Sequence, residues 1–174
     1  MNPELLLARL AAFAPGLEHL LVGLANADAR WRPARGGWSV LEIVCHLVDE
    51  ERDDFRARLE ATLAEPQRPW QPIDPEGALE ERGYNERDLR RSLEAFRRER
   101  LQTVNWIKGL VSPRWSTAYE HPKLGKLRAG DLLLSLASHD ALHLRQIARR
   151  MFDLAQRDAP GFDASYAGVW NRES

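Results

Sequence analysis

The residues with the most chemical potential are His139 and His143, in the run His139-Asp140-Ala141-Leu142-His143. Two histidines four apart on a helix stand one turn above each other on the same face. From there both imidazoles can converge on one ion at roughly 2.0–2.1 Å. Leu132, Leu136, His139, His143, Gln146, Ile147 and Arg150 keep the same three-four spacing, so the pair shares the stripe that leucines mark as core-facing. Buried imidazoles are costly unless each ring finds partners, and a metal ion satisfies one nitrogen of each directly. Taken alone, the pair also fits a hydrogen-bonded core pair or a surface pair.

His46 adds a third imidazole. It sits between Ile43 and Leu47, beside the apolar stripe of an earlier helix, with Glu50 one turn later. A lone histidine on an apolar face is ordinarily a satisfied core residue. Three inward histidines on two facing helices are unusual, and bundle cores are where metal sites are built from facing helices. His46, His139 and His143 are therefore the candidate metal ligands, and three protein ligands leave coordination positions open. Glu50 is the candidate catalytic residue, as a base. It also fits a fourth ligand, an acceptor behind a ligand imidazole, or a partly exposed helix carboxylate. His19 and His121 read as structural or exposed. Cys45 points about 100° away from His46 around the helix and reads as a small core residue.

Four long helical segments must position these groups. The first spans about Pro3 to Leu24, with Leu6, Leu10, Phe13, Leu17, Leu20, Leu21 and Leu24 on one face; Pro15 should kink or split it. The second spans about Ser39 to Ala64. Ser39 and Glu42 make a capping box, and Trp38 stands where a hydrophobic staple would. Pro66 to about Glu80 reads as a long irregular connection. The third helix runs from about Glu86 to Leu110, its arginines and glutamates reading as a solvated face. A loop or short strand pair follows from Trp115 to Arg128, with Pro122 and Gly125 as turn residues. The fourth helix runs from about Ala129 to Phe152, and 153–174 reads as a surface tail. The expectation is one all-α domain over residues 1–174, a four-helix bundle with its core over about 3–152.

Composition excludes several function classes. The 174 residues fit one domain, and 25 basic against 26 acidic residues give a formal net charge of -1. No global electrostatic attraction to nucleic acid or an anionic membrane follows. The single cysteine excludes an intramolecular disulfide framework and a multi-cysteine zinc site, and suggests a reducing, cytoplasmic setting. No apolar run approaches the roughly 20 residues of a spanning helix, and the N-terminus lacks the basic region of a signal peptide.

The chain resembles the DinB-like (DinB/YfiT) superfamily of metal-dependent enzymes. The matching pieces are the run from Trp38-Ser39 through His46 to Glu50-Glu51, then His121 to Leu127, and His139 to His143 followed by Gln146-Ile147. The resemblance covers about Leu5 to Phe152. It implies an up-down-down-up four-helix bundle, a triple-histidine site made by His46, His139 and His143, and often a homodimer. Nickel or zinc is the expected ion, with iron and manganese as alternatives.

Three functions compete. By resemblance, the first is a thiol-dependent S-transferase, in which the metal stabilises the thiolate of a low-molecular-weight thiol. A basic pocket for the thiol's carboxylates should then lie nearby, with Arg100, Arg145 and Arg150 as candidates. The second is a hydrolase, in which the metal activates water and Glu50 acts as base. Asp140 stands where a zincin has glutamate but is one methylene shorter, so that motif is not assigned. The third is a non-enzymatic metal-binding bundle. A small-molecule substrate is expected, with neither nucleic acid nor membrane as partner.

Overall fold

The computed structural model describes residues 2–168 and 170. In chain order it holds α1 (Pro3–Leu21), a single turn α2 (Asn26–Ala29), and a long rod made of α3 (Val40–Asp49), a π-helical segment (Glu50–Arg56) and α4 (Ala57–Ala64). Then come α5 (Pro75–Glu81), a 3-10 turn (Tyr84–Glu86), α6 (Leu89–Gly109), β1 (Ala118–His121), β2 (Gly125–Arg128), α7 (Ala129–Asp158) and a last 3-10 turn (Ser165–Ala167). The two strands form an antiparallel hairpin.

Cross-helix contacts fix the topology. Cys45 meets Ser92, Glu51 meets Arg100 and Arg56 meets Thr103, so the rod and α6 run parallel. Leu10 meets Arg100, Glu18 meets Arg97 and Asn26 meets Leu89, so α1 runs against α6. Trp38 meets Arg150, His46 meets His143 and Phe55 meets His139, so α7 runs against the rod. The result is the up-down-down-up four-helix bundle. Two parallel neighbours need a connection that travels the length of the bundle, and residues 65–88 provide it.

The start of the rod follows its sequence. Glu42 N–H donates to Ser39 Oγ at 3.2 Å, and Ser39 N–H donates to Glu42 Oε2 at 2.8 Å, a complete capping box. Every residue of α3 is buried, including His46. Two apolar clusters make the core. One gathers α3 with the C-terminal half of α1 and the start of α6; the other gathers Leu6, Leu10, Leu59, Val104, Leu132, Leu133 and Leu136.

Several boundaries differ from the sequence expectation. Helix α1 continues through Pro15 without splitting, because Ala11, whose carbonyl loses its N–H partner there, lies on the exposed face. It ends at Leu21, and Leu20 points outward at 45% exposure. The rod is not uniformly α-helical, since its middle widens at Glu50–Arg56. The connection expected to be irregular contains α5, capped by Asp74 accepting from Gly77 N–H at 3.0 Å. Helix α7 runs to Asp158, beyond the expected Phe152, because Asp153 and Leu154 are buried against the bundle. Residues 169 and 171–174 of the expected tail lie outside the described residues. No described helix is long and apolar enough to cross a membrane.

Candidate metal centre

Antiparallel packing of α3 on α7 brings His46 opposite His139 and His143. One nitrogen from each ring lies within 4.8 Å of the others. The Nε2 atoms of His139 and His143 are 2.9 Å apart. Two nitrogens about 2.0–2.1 Å from a common ion have that separation when they subtend roughly a right angle. On its other side, His143 Nδ1 lies 2.8 Å from Gln146 Oε1. An amide oxygen only accepts, so Nδ1 carries the proton and the Nε2 lone pair faces the cluster. His46 makes no hydrogen bond to any described residue, although it is only 6% exposed. Sharing a proton between His139 and His143 would leave this third buried ring unsatisfied; a cation satisfies all three.

The protonation states suit that cation. Burial, then the proximity of His143, pushes His46 down to about 3. Burial pushes His139 down to about 3 as well, followed by His143, His46 and Arg100. Burial also lowers His143, against the opposing pull of Gln146. All three rings are therefore neutral near pH 7 and able to donate lone pairs. Aromatic walls hold them. Trp38 meets the His46 ring edge-on at 4.8 Å and stacks on His143 at 6.4 Å, and Phe55 lies 5.1 Å from His139.

Glu50 opens the π-helical segment. Its Oε1 is 3.8 Å from His46 Nδ1. Burial pushes its carboxyl up to about 8, helped by the neighbouring Asp54, which burial also raises. π-turns inside α-helices are common at functional sites, and here the extra residue re-aims the carboxylates that follow Glu50. Next to His46 and Glu50 a cavity of about 310 Å³ opens beneath the chain between Gln71 and Tyr84. Tyr84 Oη donates to Asp49 in its wall, and Arg82 Nη1 lies 2.6 Å from the same carboxylate.

The arginines expected near a thiol are otherwise engaged. Arg100 is 2% exposed and grips Asp140 at 2.6 and 2.7 Å, Glu51 Oε2 at 2.9 Å and Leu10 O at 3.1 Å. It ties α1, the π segment, α6 and α7 together directly behind the site, because Glu51 follows Glu50 and Asp140 follows His139. Asp140 is thus committed to Arg100 and takes no base role. Arg150 donates to Trp38 O at 2.7 Å and to Asp153 at 2.8 Å. Arg145 stands exposed beside a separate surface cavity with Gln146.

The remaining candidates lie elsewhere. His19 is exposed on α1. His121 closes the hairpin turn, its Nδ1 accepting from Lys123 N–H at 3.2 Å and Leu124 N–H at 3.1 Å. Cys45 is buried with its Sγ 3.4 Å from Ser92 Oγ, as befits a core residue. Three supporting features escaped the sequence reading. The role of Gln146 was signalled by its place three residues after His143. The pairing of Arg100 with Asp140 and the π segment left no periodic signal.

Comparison with known proteins bears on the same region. The family model for the DinB superfamily matches residues 9–147, which include all three histidines. Among solved structures, YfiT from Bacillus subtilis, a probable metal-dependent hydrolase with an unusual four-helix bundle topology, matches with a TM-score of 0.73 and 19% identity over 86% of this chain and 87% of that chain. At that identity the likeness is one of fold. No curated protein matches the sequence.

Proposed function

The chain belongs to the DinB superfamily, and we propose that it is a metal-dependent hydrolase of a small molecule, with His46, His139 and His143 as ligands and Glu50 as the proton-transferring group. The convergence of three neutral imidazoles beside a buried carboxylate at the edge of a cavity carries this reading. The likeness to YfiT supports it. A divalent ion held by the three rings would supply Lewis acidity and acidify water. Nitrogen donors suit zinc or nickel, with iron and manganese as alternatives.

The chain's own residues supply the rest. His143 is oriented by Gln146. Trp38 and Phe55 limit water around the rings. Glu50, raised by burial to about 8, exchanges protons near neutral pH: its carboxylate fraction takes one from water, and the carboxylic acid so formed gives it to the leaving group. Thiol-dependent S-transfer finds less support. Arg100 and Arg150 are paired within the protein, and the cavity beside His46 is walled by carboxylates that repel an anionic thiol.

Elemental analysis of untagged protein tests the centre, with His46→Ala and His139→Ala alongside. The expected result is one divalent ion per chain, lost in both variants. Wild-type protein that is metal-free and cannot be loaded would remove the proposal's basis. With a substrate found from ester and amide panels, Glu50→Gln should lower kcat by about 10²-fold or more while metal content is kept.

A further inference from the structure

Gln146 orients the ring of His143, but His46 has no equivalent partner among the described residues. Glu50 Oε1 is 3.8 Å from its Nδ1, beyond hydrogen-bond reach. The contact that orients this ring is aromatic. The Trp38 indole meets it edge-on at 4.8 Å and lies parallel to the His143 ring at 6.4 Å. Trp38 stands outside the rod, at the end of the loop of residues 33–38 that leads into Ser39. A loop places a side chain accurately only where something outside it grips its backbone. Here α7 does so. Arg150 lies two turns beyond His143, on the stripe that carries both histidines and Gln146. Its Nε–H donates to the Trp38 carbonyl at 2.7 Å. Asp153, itself buried, holds the same guanidinium through Nη1 at 2.8 Å and takes Arg35 from within the loop at 2.6 Å. Gly37 leaves the room this needs. Its φ is +101°, and a Cβ there would lie 2.5 Å from Arg150 Nη2.

Resting on the metal-dependent reading and deepening it, we infer that Arg150 is a positioning residue for the proposed reaction: by gripping the Trp38 carbonyl it keeps the indole against His46 and His143, and the indole fixes the ligand ring that no hydrogen bond orients. The bond is made to backbone, so it places the whole residue and not one rotamer of it. Its donor is ionised and the arginine side chain is 12% exposed, which makes this a hydrogen bond of the stronger kind. The two ligand-bearing helices thereby share one brace. Helix α7 supplies His143 and the guanidinium, and the residue before the Ser39 cap supplies the indole that lies on a ring from each helix. Without the brace His46 is free to turn its lone pair away from the ion, as His143 would be without its acceptor.

Fluorine NMR of metal-free protein labelled with 5-fluorotryptophan tests the first step. The Trp38 resonance is the one lost in Trp38→Leu, which keeps an apolar group before the helix cap. It should shift or broaden in Arg150→Met and stay in place in Arg149→Met, since Arg149 bonds Asp153 but not the Trp38 carbonyl. Competition with a chromophoric chelator on loaded protein tests the second step. Arg150→Met should weaken metal affinity about tenfold, the scale of losing a ligand's support, and Arg149→Met should leave it unchanged. Adding Arg150→Met to Trp38→Leu should weaken affinity no further, because the arginine acts through the indole. The inference is overturned by a Trp38 resonance that ignores Arg150→Met or moves equally in Arg149→Met, or by effects that multiply in the double variant. The hydrolase reading fails differently. Wild-type protein that takes up no metal, yet shows the resonance change in Arg150→Met, removes that reading and keeps Arg150 as the residue that sets the indole on the histidines.

Discussion

Arg100 and Asp140 are joined by two parallel bonds, Nη1 to Oδ2 at 2.6 Å and Nη2 to Oδ1 at 2.7 Å, in a part of the core where neither side chain is more than 6% exposed. Such a pair gains little over a well-packed apolar core, but losing one member strands the other without solvent. Here two carboxylates depend on one guanidinium, and Glu51 Oε1 already lacks a partner. Arg100→Met should therefore destabilise the protein by about 3–5 kcal/mol in urea unfolding. A loss under about 1 kcal/mol would mean that the network behaves like an exposed ion pair.

The metal centre has a separate support on its outer side. Gln146 is exposed and touches it only through His143 Nδ1. Gln146→Leu should leave thermal stability nearly unchanged and weaken metal affinity about 10–100-fold, because the ring loses the acceptor that fixes its tautomer. Gln146→Glu keeps an acceptor at that place and should restore most of the affinity. Competition with a chromophoric chelator reads both. Equal metal affinity in Gln146→Leu and wild type would contradict the assigned role.

Much of this arrangement could be read from residue spacing. His139 and His143 were legible because the leucines of their stripe name the buried face, and the start of the rod was legible because Ser39 and Glu42 satisfy each other locally. Arg100 was not. In sequence it stands in a run of arginines and glutamates that reads as a solvated face, and only the arrival of Glu51 and Asp140 from other helices makes a buried position tolerable. The π segment was equally hidden, since Phe55 is the single apolar residue of Glu50–Arg56 and one residue makes no stripe by which a change of pitch could be seen. The extension of α7 is supported from outside the helix by Arg35, which reaches Asp153 from 118 residues away and joins Arg149 and Arg150 there.

Ser39 does two jobs. Its Oγ accepts from Glu42 N–H at 3.2 Å and donates to Asn85 Oδ1 at 2.7 Å, so it both starts the histidine-bearing rod and pins the chain that leads into α6. Ser39→Ala removes the cap and leaves the Asn85 oxygen short of a donor, a loss of about 1–2 kcal/mol. For a chain of this length that lowers Tm by about 2–8 °C. Differential scanning calorimetry on metal-free protein isolates the effect from metal binding. An unchanged Tm would show that Glu42, held also by Arg32, suffices to start the helix.

Metal-free protein should have a stability maximum near pH 6.5, for reasons of opposite sign on its two sides. His46 and His139 are pushed down to about 3 from an ordinary 6.5, and His143 is lowered too. Below pH 6.5 the unfolded chain takes up protons that the folded chain refuses, so this stability is fully present above 6.5 and is lost as pH falls toward 3. Each histidine contributes a slope of up to about 1.4 kcal/mol per pH unit. Glu50 acts in reverse. Its carboxyl is raised from 4.5 to about 8, so the folded chain binds the extra proton, and that stability is present below 4.5 and is lost as pH rises through 8. Between 4.5 and 6.5 three histidines outweigh one carboxyl; above 6.5 the histidine contribution levels off while the Glu50 carboxyl still changes. Urea midpoints from pH 5 to pH 8 should rise to about pH 6.5 and then decline in wild type. The decline should flatten in Glu50→Gln, whose amide does not titrate. A wild-type midpoint that keeps rising to pH 8 would show that Glu50 is ionised throughout, a carboxylate able to accept a proton but holding none to donate at neutral pH.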